Sequence, residues 1–204
     1  MVCPAANVSA ISNWCRTAGR VLSAQSFNFG LSPLFVDHTI DSGVPILYQP
    51  ASDVGADRIV NVLAAVELFK ADSIVVDFGT AVTFDIVSAQ RNYIGGVIAP
   101  GLESMTSFLY QHTALLPKLS LKEPRSTVGR STIDAMRSGA VIGYRGLVRE
   151  IIARIKAERF PREKVHVIAT GGYADLIAAR LREIDAVHPN LTLEGLRIVA
   201  NLNL

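Results

Sequence analysis

The 204 residues are half hydrophobic and 19% charged, with 20 Lys and Arg against 18 Asp and Glu for a formal net charge of +2. That balance describes a folded globule and excludes a disordered chain. Basic residues are scattered and aromatic residues make up only 7%, so the sequence carries no electrostatic footprint for a nucleic-acid backbone, and a small ligand is expected instead.

Stretch 21–36 is uncharged but broken by Ser, Gln, Asn, Gly and Pro, short of the roughly 20 apolar residues that a membrane helix needs. No basic residue precedes Arg16; the charged start of a secretory signal is missing, and a cytoplasmic protein with no membrane partner is expected. Cys3 and Cys15 lack metal-ligand spacing and a His cluster, which marks them as reduced structural residues.

Residues 5–18 are expected to form a short helix. Pro45-Ile46-Leu47-Tyr48 is expected to be a strand stopped by Pro50. From Asp57 to about Lys70, Ile59, Val60, Leu63, Ala64, Val66 and Leu68 recur at helical spacing and predict a buried amphipathic helix. Ser73-Ile74-Val75-Val76 and Ala81 to Val87 predict a hairpin around the polar turn Asp77-Phe78-Gly79-Thr80. A third strand follows from Tyr93 to Ile98. Pro100-Gly101 then opens a helix carrying Leu102, Met105, Phe108 and Leu109.

The clearest helix begins after Ser131-Thr132, where Ile133, Met136, Ala140, Tyr144, Leu147, Ile151 and Ile155 predict one continuously buried face. Ser131 or Thr132 suits the N-cap, and Asp134 in the first turn favours the helix dipole. Val165 to Ala169 predicts a strand leading into Thr170-Gly171-Gly172, then a helix from about Tyr173 to Arg182, and Leu196 to Val199 forms a closing apolar stretch. Strands and helices alternate throughout, which is an α/β chain.

Three segments carry chemistry. In Asp77-Phe78-Gly79-Thr80 a hairpin can present backbone N–H groups, a hydroxyl and a carboxylate to one point, which suits a phosphate or a cation; the same tetrapeptide also makes an ordinary turn. Gly55-Ala56-Asp57-Arg58 puts an acid and a base at a helix mouth. Asp57 is there either an N-cap or a general base, and Arg58 is available to a carboxylate or phosphate oxygen. Thr170-Gly171-Gly172 is either a strand-to-helix turn or a place where backbone must approach a ring or phosphate closely. His112, His166 and His188 have no partners at ligand spacing and are structural or solvated.

Taken in order, Gly55-Ala56-Asp57-Arg58-Ile59-Val60-Asn61, Asp77-Phe78-Gly79-Thr80-Ala81 with Thr83-Phe84-Asp85, Gly95 to Leu102, Thr113-Ala114-Leu115-Leu116-Pro117 and Thr170-Gly171-Gly172 closely resemble the type III pantothenate kinase family, also described as Bvg accessory factor. The resemblance runs from about Tyr48 to the C-terminus. It implies an actin-like, sugar-kinase-like (ribonuclease H-like) α/β fold of two related lobes, a homodimer, and ATP-dependent phosphorylation of pantothenate, the first step of coenzyme A biosynthesis.

Position by position, the resemblance makes Asp57 the catalytic proton acceptor for the pantothenate hydroxyl. Tyr48, Gly55, Ala56, Asp57, Arg58 and Thr132 become substrate contacts. Thr80 and Gly79 fall on the ATP phosphates, Gly171 and Gly172 on the adenosine side, and Asp77 on a monovalent cation, potassium or ammonium. Mg²⁺ is expected with the nucleotide. A cation at Asp77 would offset triphosphate charge that a chain of net charge +2 does not meet with a basic cluster.

Family members open with a strand and a D-x-G-N-T phosphate turn, whereas residues 1–7 resemble the middle of the first lobe. A first lobe truncated at its N-terminus is therefore expected, with residues 1–71 its remnant and 72–204 the second lobe. Ser131 stands where the family has Asn. The alternative to an active kinase is a truncated, non-catalytic or regulatory relative.

Overall fold

The computed structural model describes residues 34–203; the expected helix at 5–18 and both cysteines lie outside them. The chain runs α1 (Ala56–Phe69), β1 (Ser73–Phe78), β2 (Ala81–Val87), β3 (Tyr93–Pro100), α2 (Leu102–His112), α3 (Thr132–Arg159), β4 (His166–Thr170), α4 (Ala174–Ala178), β5 (Ala186–Val187) and α5 (Leu191–Asn203). The strands form one sheet in the order β3-β2-β1-β4-β5. β1 pairs antiparallel with β2 and parallel with β4, so the hairpin predicted around Gly79-Thr80 forms, and β1 lies at the centre.

Strand side chains alternate between faces, and here the two faces differ in chemistry. Ile74, Val76 and Phe78 of β1, Val82, Phe84 and Ile86 of β2, and Val167 and Ala169 of β4 pack with Val141, Tyr144, Val148, Ile152 and Ile155 of α3 in the main core. The intervening residues turn to the other side, where Val75 and Ile168 meet Ala64 and Ala65 of α1 and Leu191 of α5. Asp77 and Asp85 belong to that second face by the same alternation.

α1 and α5 cross closely on this face. Gly195 is buried, and a Cβ there would lie 2.0 Å from the Val60 carbonyl oxygen, so only glycine lets the two backbones meet.

Several expectations are corrected by the packing. The buried line of α3 is Ser138, Val141, Tyr144, Val148, Ile152 and Ile155. It is rotated from the predicted face, and Ile133 is 44% exposed, because the first turns of α3 are not covered by the core that holds Val141 onward. The predicted helix from Tyr173 to Arg182 closes at Ala178: Leu181 turns into the core, and the Val167 N–H donates to the Asp185 carboxylate at 2.8 Å as the chain turns into β5. The closing apolar stretch is a 13-residue helix whose buried Leu191, Gly195 and Val199 are spaced by four. Residues 45–48 make only a single bridge, Ile46 to Tyr93, since prolines at 45 and 50 cannot donate to a ladder.

Gly195→Ala should destabilise the fold by about 1–3 kcal/mol, the usual range for overpacking, as read by urea denaturation. An unchanged midpoint would mean that α1 and α5 do not meet this closely.

Candidate active site

The second face of the sheet gathers most of the predicted residues. α1 opens at Gly55, which is the N-cap and makes no side-chain cap hydrogen bond. Asp57 therefore sits inside the first turn as an exposed carboxylate, not as the cap, in the positive end of the helix dipole. Four residues on, and so on the same helix face, Asn61 is fully buried. Its Nδ2 donates to Asp77 Oδ2 at 2.8 Å.

Asp77 closes the polar side of β1, paired in register with Thr83 on one side and Thr170 on the other. Desolvation dominates its chemistry. Burial pushes its carboxyl up to about 6, the Asn61 hydrogen bond opposes this, and the negative charges of Asp57 and Asp85 add to the rise. A carboxylate held out of water next to other carboxylates is short of positive charge.

Gly171 explains why the Gly-Gly turn must be glycine. Its φ is +91°, and a Cβ would lie 2.5 Å from Asp77 Oδ1 and 2.7 Å from the Phe78 nitrogen. The turn after β4 is thus pressed against the end of β1. Gly79, Thr80 and Gly172 lie exposed around it, with the Ser104 hydroxyl donating to the Thr80 carbonyl at 2.7 Å.

Arg58 is held in a different way from that expected of a freely available cation. Its side chain is buried, its Nε donates to Asp85 Oδ1 at 2.7 Å, and Nη2 lies 2.7 Å from the same oxygen. Asp85 also accepts from the Tyr93 hydroxyl at 2.7 Å and from Thr83 at 3.0 Å. The guanidinium carbon lies 5.3 Å from the Tyr48 ring centre and 5.7 Å from that of Tyr93. These two rings stack at 6.2 Å. Desolvation works against the charge, but the carboxylate of Asp85 outweighs it and holds Arg58 above its ordinary range. Nη2 is enclosed and rests on Asp85 as an ion pair, so the guanidinium is committed to the carboxylate within the chain.

Thr132 is not brought to this group. It stands exposed at the start of α3, where Ser131 accepts from the Asp134 backbone N–H and serves as the N-cap, and no hydrogen bond among the described residues links it to Asp57 or Asp77. Two residues that sequence reasoning gave no role, Asn61 and Asp85, hold the site together. The i, i+4 relation of Asp57 to Asn61 could have signalled the first. Pairing of Arg58 with Asp85 depends on the fold and left no local signal.

Oxygen chemistry fits the implied ligands. Among the described residues no three His, Cys, Asp or Glu side chains cluster for a metal, so a caged divalent ion is not provided for. A single half-buried carboxylate beside glycine backbone and a threonine hydroxyl suits a monovalent cation shared with a phosphate, and a Mg²⁺ carried by the nucleotide.

The family model for type III pantothenate kinase matches residues 5–154. A type III pantothenate kinase of Akkermansia muciniphila is 52% identical over 162 residues, covering 79% of this chain and 66% of that protein. The corresponding proteins of Geobacter sulfurreducens and Methylacidiphilum infernorum are 47% and 43% identical, covering 86% and 82% of this chain and 68% and 62% of theirs. The chain thus spans about two thirds of the length of the curated relatives it matches. A Campylobacter jejuni crystal structure titled as a Baf family transcriptional activator superposes with a TM-score of 0.54 at 24% identity, over 79% of this chain and 70% of that one. The α/β sheet with its two flanking helical layers is therefore a fold of the actin-like, sugar-kinase-like class. The chain belongs to the type III pantothenate kinase family.

In buffer free of potassium and ammonium, Asp77→Asn should stabilise the protein. The folded-state rise toward about 6 means that wild-type Asp77 imposes no penalty below its unfolded value near 4, that the penalty grows between about pH 4 and 6, and that it is complete above 6. The gain in melting temperature should accordingly be larger at pH 8 than at pH 5. A loss at both pH values would show that the ionised carboxylate is already compensated within the chain.

Proposed function

We propose that the full-length protein phosphorylates pantothenate at the expense of ATP, entering coenzyme A biosynthesis, with the site on the second face of the sheet as its centre. The observation that carries this reading is the juxtaposition of an exposed first-turn carboxylate, Asp57, with a half-buried one, Asp77, tied to Asn61, beside the exposed Gly79-Thr80 turn and the Gly171-Gly172 backbone. Family membership supports the choice of substrate.

On this reading Asp57 accepts the proton of the pantothenate hydroxyl as its oxygen attacks the γ-phosphorus of ATP and ADP departs. Tyr48, Gly55, Ala56 and Thr132 contact the pantothenate. Arg58, its guanidinium plane fixed by Asp85 and the two tyrosine rings, belongs to the pantothenate-contact segment with them. Thr80 and Gly79 lie against the phosphates, with the Thr80 hydroxyl as donor, and Gly171 and Gly172 bring backbone close to the adenosine. Potassium or ammonium at Asp77, with Mg²⁺ on the nucleotide, supplies the positive charge that phosphoryl transfer needs.

We place the boundary between lobes at residues 71/72, with α1 as the closing helix of the first lobe, and we place the enzyme in the cytoplasm. No helix among the described residues is long and apolar enough to cross a membrane.

A homodimer is part of the proposal. Met105, Phe108, Leu109 and Tyr110 of α2 are 40% to 59% exposed, as are Ile133 and Ile142 of α3 at 44% and 38%, an apolar surface larger than single scattered residues. A partner covering the start of α3 would also give Thr132 a place in a site.

Coupled ADP release tests the reaction on the full-length gene product. Pantothenate-dependent, potassium-dependent turnover is expected, and Asp57→Asn should lower it roughly 10²- to 10⁴-fold, the usual worth of a general base, with ATP affinity little changed. Absence of pantothenate-dependent turnover would favour a regulatory relative, and a small effect of Asp57→Asn would reduce that residue to a first-turn helix charge. Sedimentation analysis should give a dimer that Phe108→Asp weakens.

A further inference from the structure

A buried amide joins the C-terminal helix to the site. Asn61 has both ends of its side chain occupied: Nδ2 donates to Asp77 Oδ2 at 2.8 Å, and Oδ1 accepts from the Thr192 hydroxyl at 2.8 Å. The two contacts lie 16 and 131 residues away in sequence, on β1 and on α5. Asn61 is wholly enclosed, so no solvent can replace either partner.

The consequence is directional. An amide presents a donor at one end and an acceptor at the other, and a carboxylate accepts only. The Thr192 hydroxyl, by donating to Oδ1, leaves the N–H end facing Asp77. Without that hydroxyl the buried carbonyl of Asn61 has no partner, and such a group reorients to find one.

The close crossing of α1 and α5 makes this contact possible. Gly195 is three residues after Thr192 and so on the same face of α5, and its missing Cβ lets the backbone rest on the Val60 carbonyl, one residue before Asn61. A side chain as short as threonine then reaches across.

We propose that Asn61 is a positioning residue for Asp77 and that Thr192 fixes which way its amide faces. Asp77 Oδ2 is tied back to α1, and Oδ1 is left toward the Gly171 turn, where a Cβ would touch it at 2.5 Å. This rests on the assignment of Asp77 to the cation and phosphate side of the site. The acidic group is thereby presented in one rotamer, and the amide that holds it is fixed in turn from α5, a helix that carries none of the proposed substrate contacts.

Two measurements on the full-length gene product test it. In the first, Thr192→Val should raise the potassium concentration for half-maximal activity about five- to twentyfold, as expected when a hydrogen bond to a charged group is loosened. KM for pantothenate should stay within twofold, and Thr192→Ser should restore the wild-type value. The rise in melting temperature on adding potassium should shrink in the same order, a readout that needs no turnover.

The second is an unfolding double-mutant cycle between Thr192→Val and Asp77→Asn in potassium-free buffer. These residues share only Asn61, and their effects on the unfolding equilibrium constant should be non-additive by at least about threefold, the lower end for coupled neighbours. The coupling should vanish in an Asn61→Ala background. Strict additivity overturns the proposal whatever potassium does, as does a coupling that survives in Asn61→Ala. Coupling in a protein with no potassium response upholds the Asn61 link and removes instead the assignment of a cation to Asp77.

Discussion

A half-buried carboxylate near the end of the central strand sets the terms for everything around it. Asp77 lies between Thr83 and Thr170 in the sheet and under α1, where the surrounding dielectric favours its neutral form. Nothing in the hydrophobic core requires an acid there. The apolar face of the same strand, through Ile74, Val76 and Phe78, packs against α3 as any buried strand would, and that packing offsets the cost of the polar face. Functional sites tolerate such local conflict when the rest of the fold over-determines them.

The sheet thus divides labour between its faces. One side is a continuous apolar layer under the long helix, and the other carries Asp77, Asp85, Thr83 and Thr170 under α1. Because side chains alternate with a period of two, a one-residue slip would exchange the two sets, so the register that buries Phe84 also directs Asp85 toward Arg58. The buried Arg58–Asp85 pair is satisfied further by Tyr93 and Thr83, the condition under which a buried charge pair is tolerated.

α5 brings the C-terminal end of the chain back onto the site. Its crossing with α1 is set by a single missing side chain at Gly195, and the crossing distance in turn determines what Thr192 can touch. A contact 131 residues apart in sequence thereby controls the orientation of an amide next to the central acid.

Most elements between residues 56 and 170 were legible in the sequence, because their apolar spacing of 3.6 or 2 is a local property that burial reinforces. The hairpin at Gly79-Thr80, the start of α1 and the Gly-Gly turn could be read for the same reason: turn chemistry is written in adjacent residues. The sequence by itself also determined the family, since five ordered motifs survive in a chain of 204 residues. Only the tertiary structure decided which face of α3 is buried, where α4 stops, that the closing apolar stretch is a full helix, and that Arg58 belongs to Asp85 and Asn61 to Thr192. Those outcomes depend on contacts between distant segments, and a buried polar group chooses its partner from whatever the fold brings within hydrogen-bond reach rather than from its neighbours along the chain.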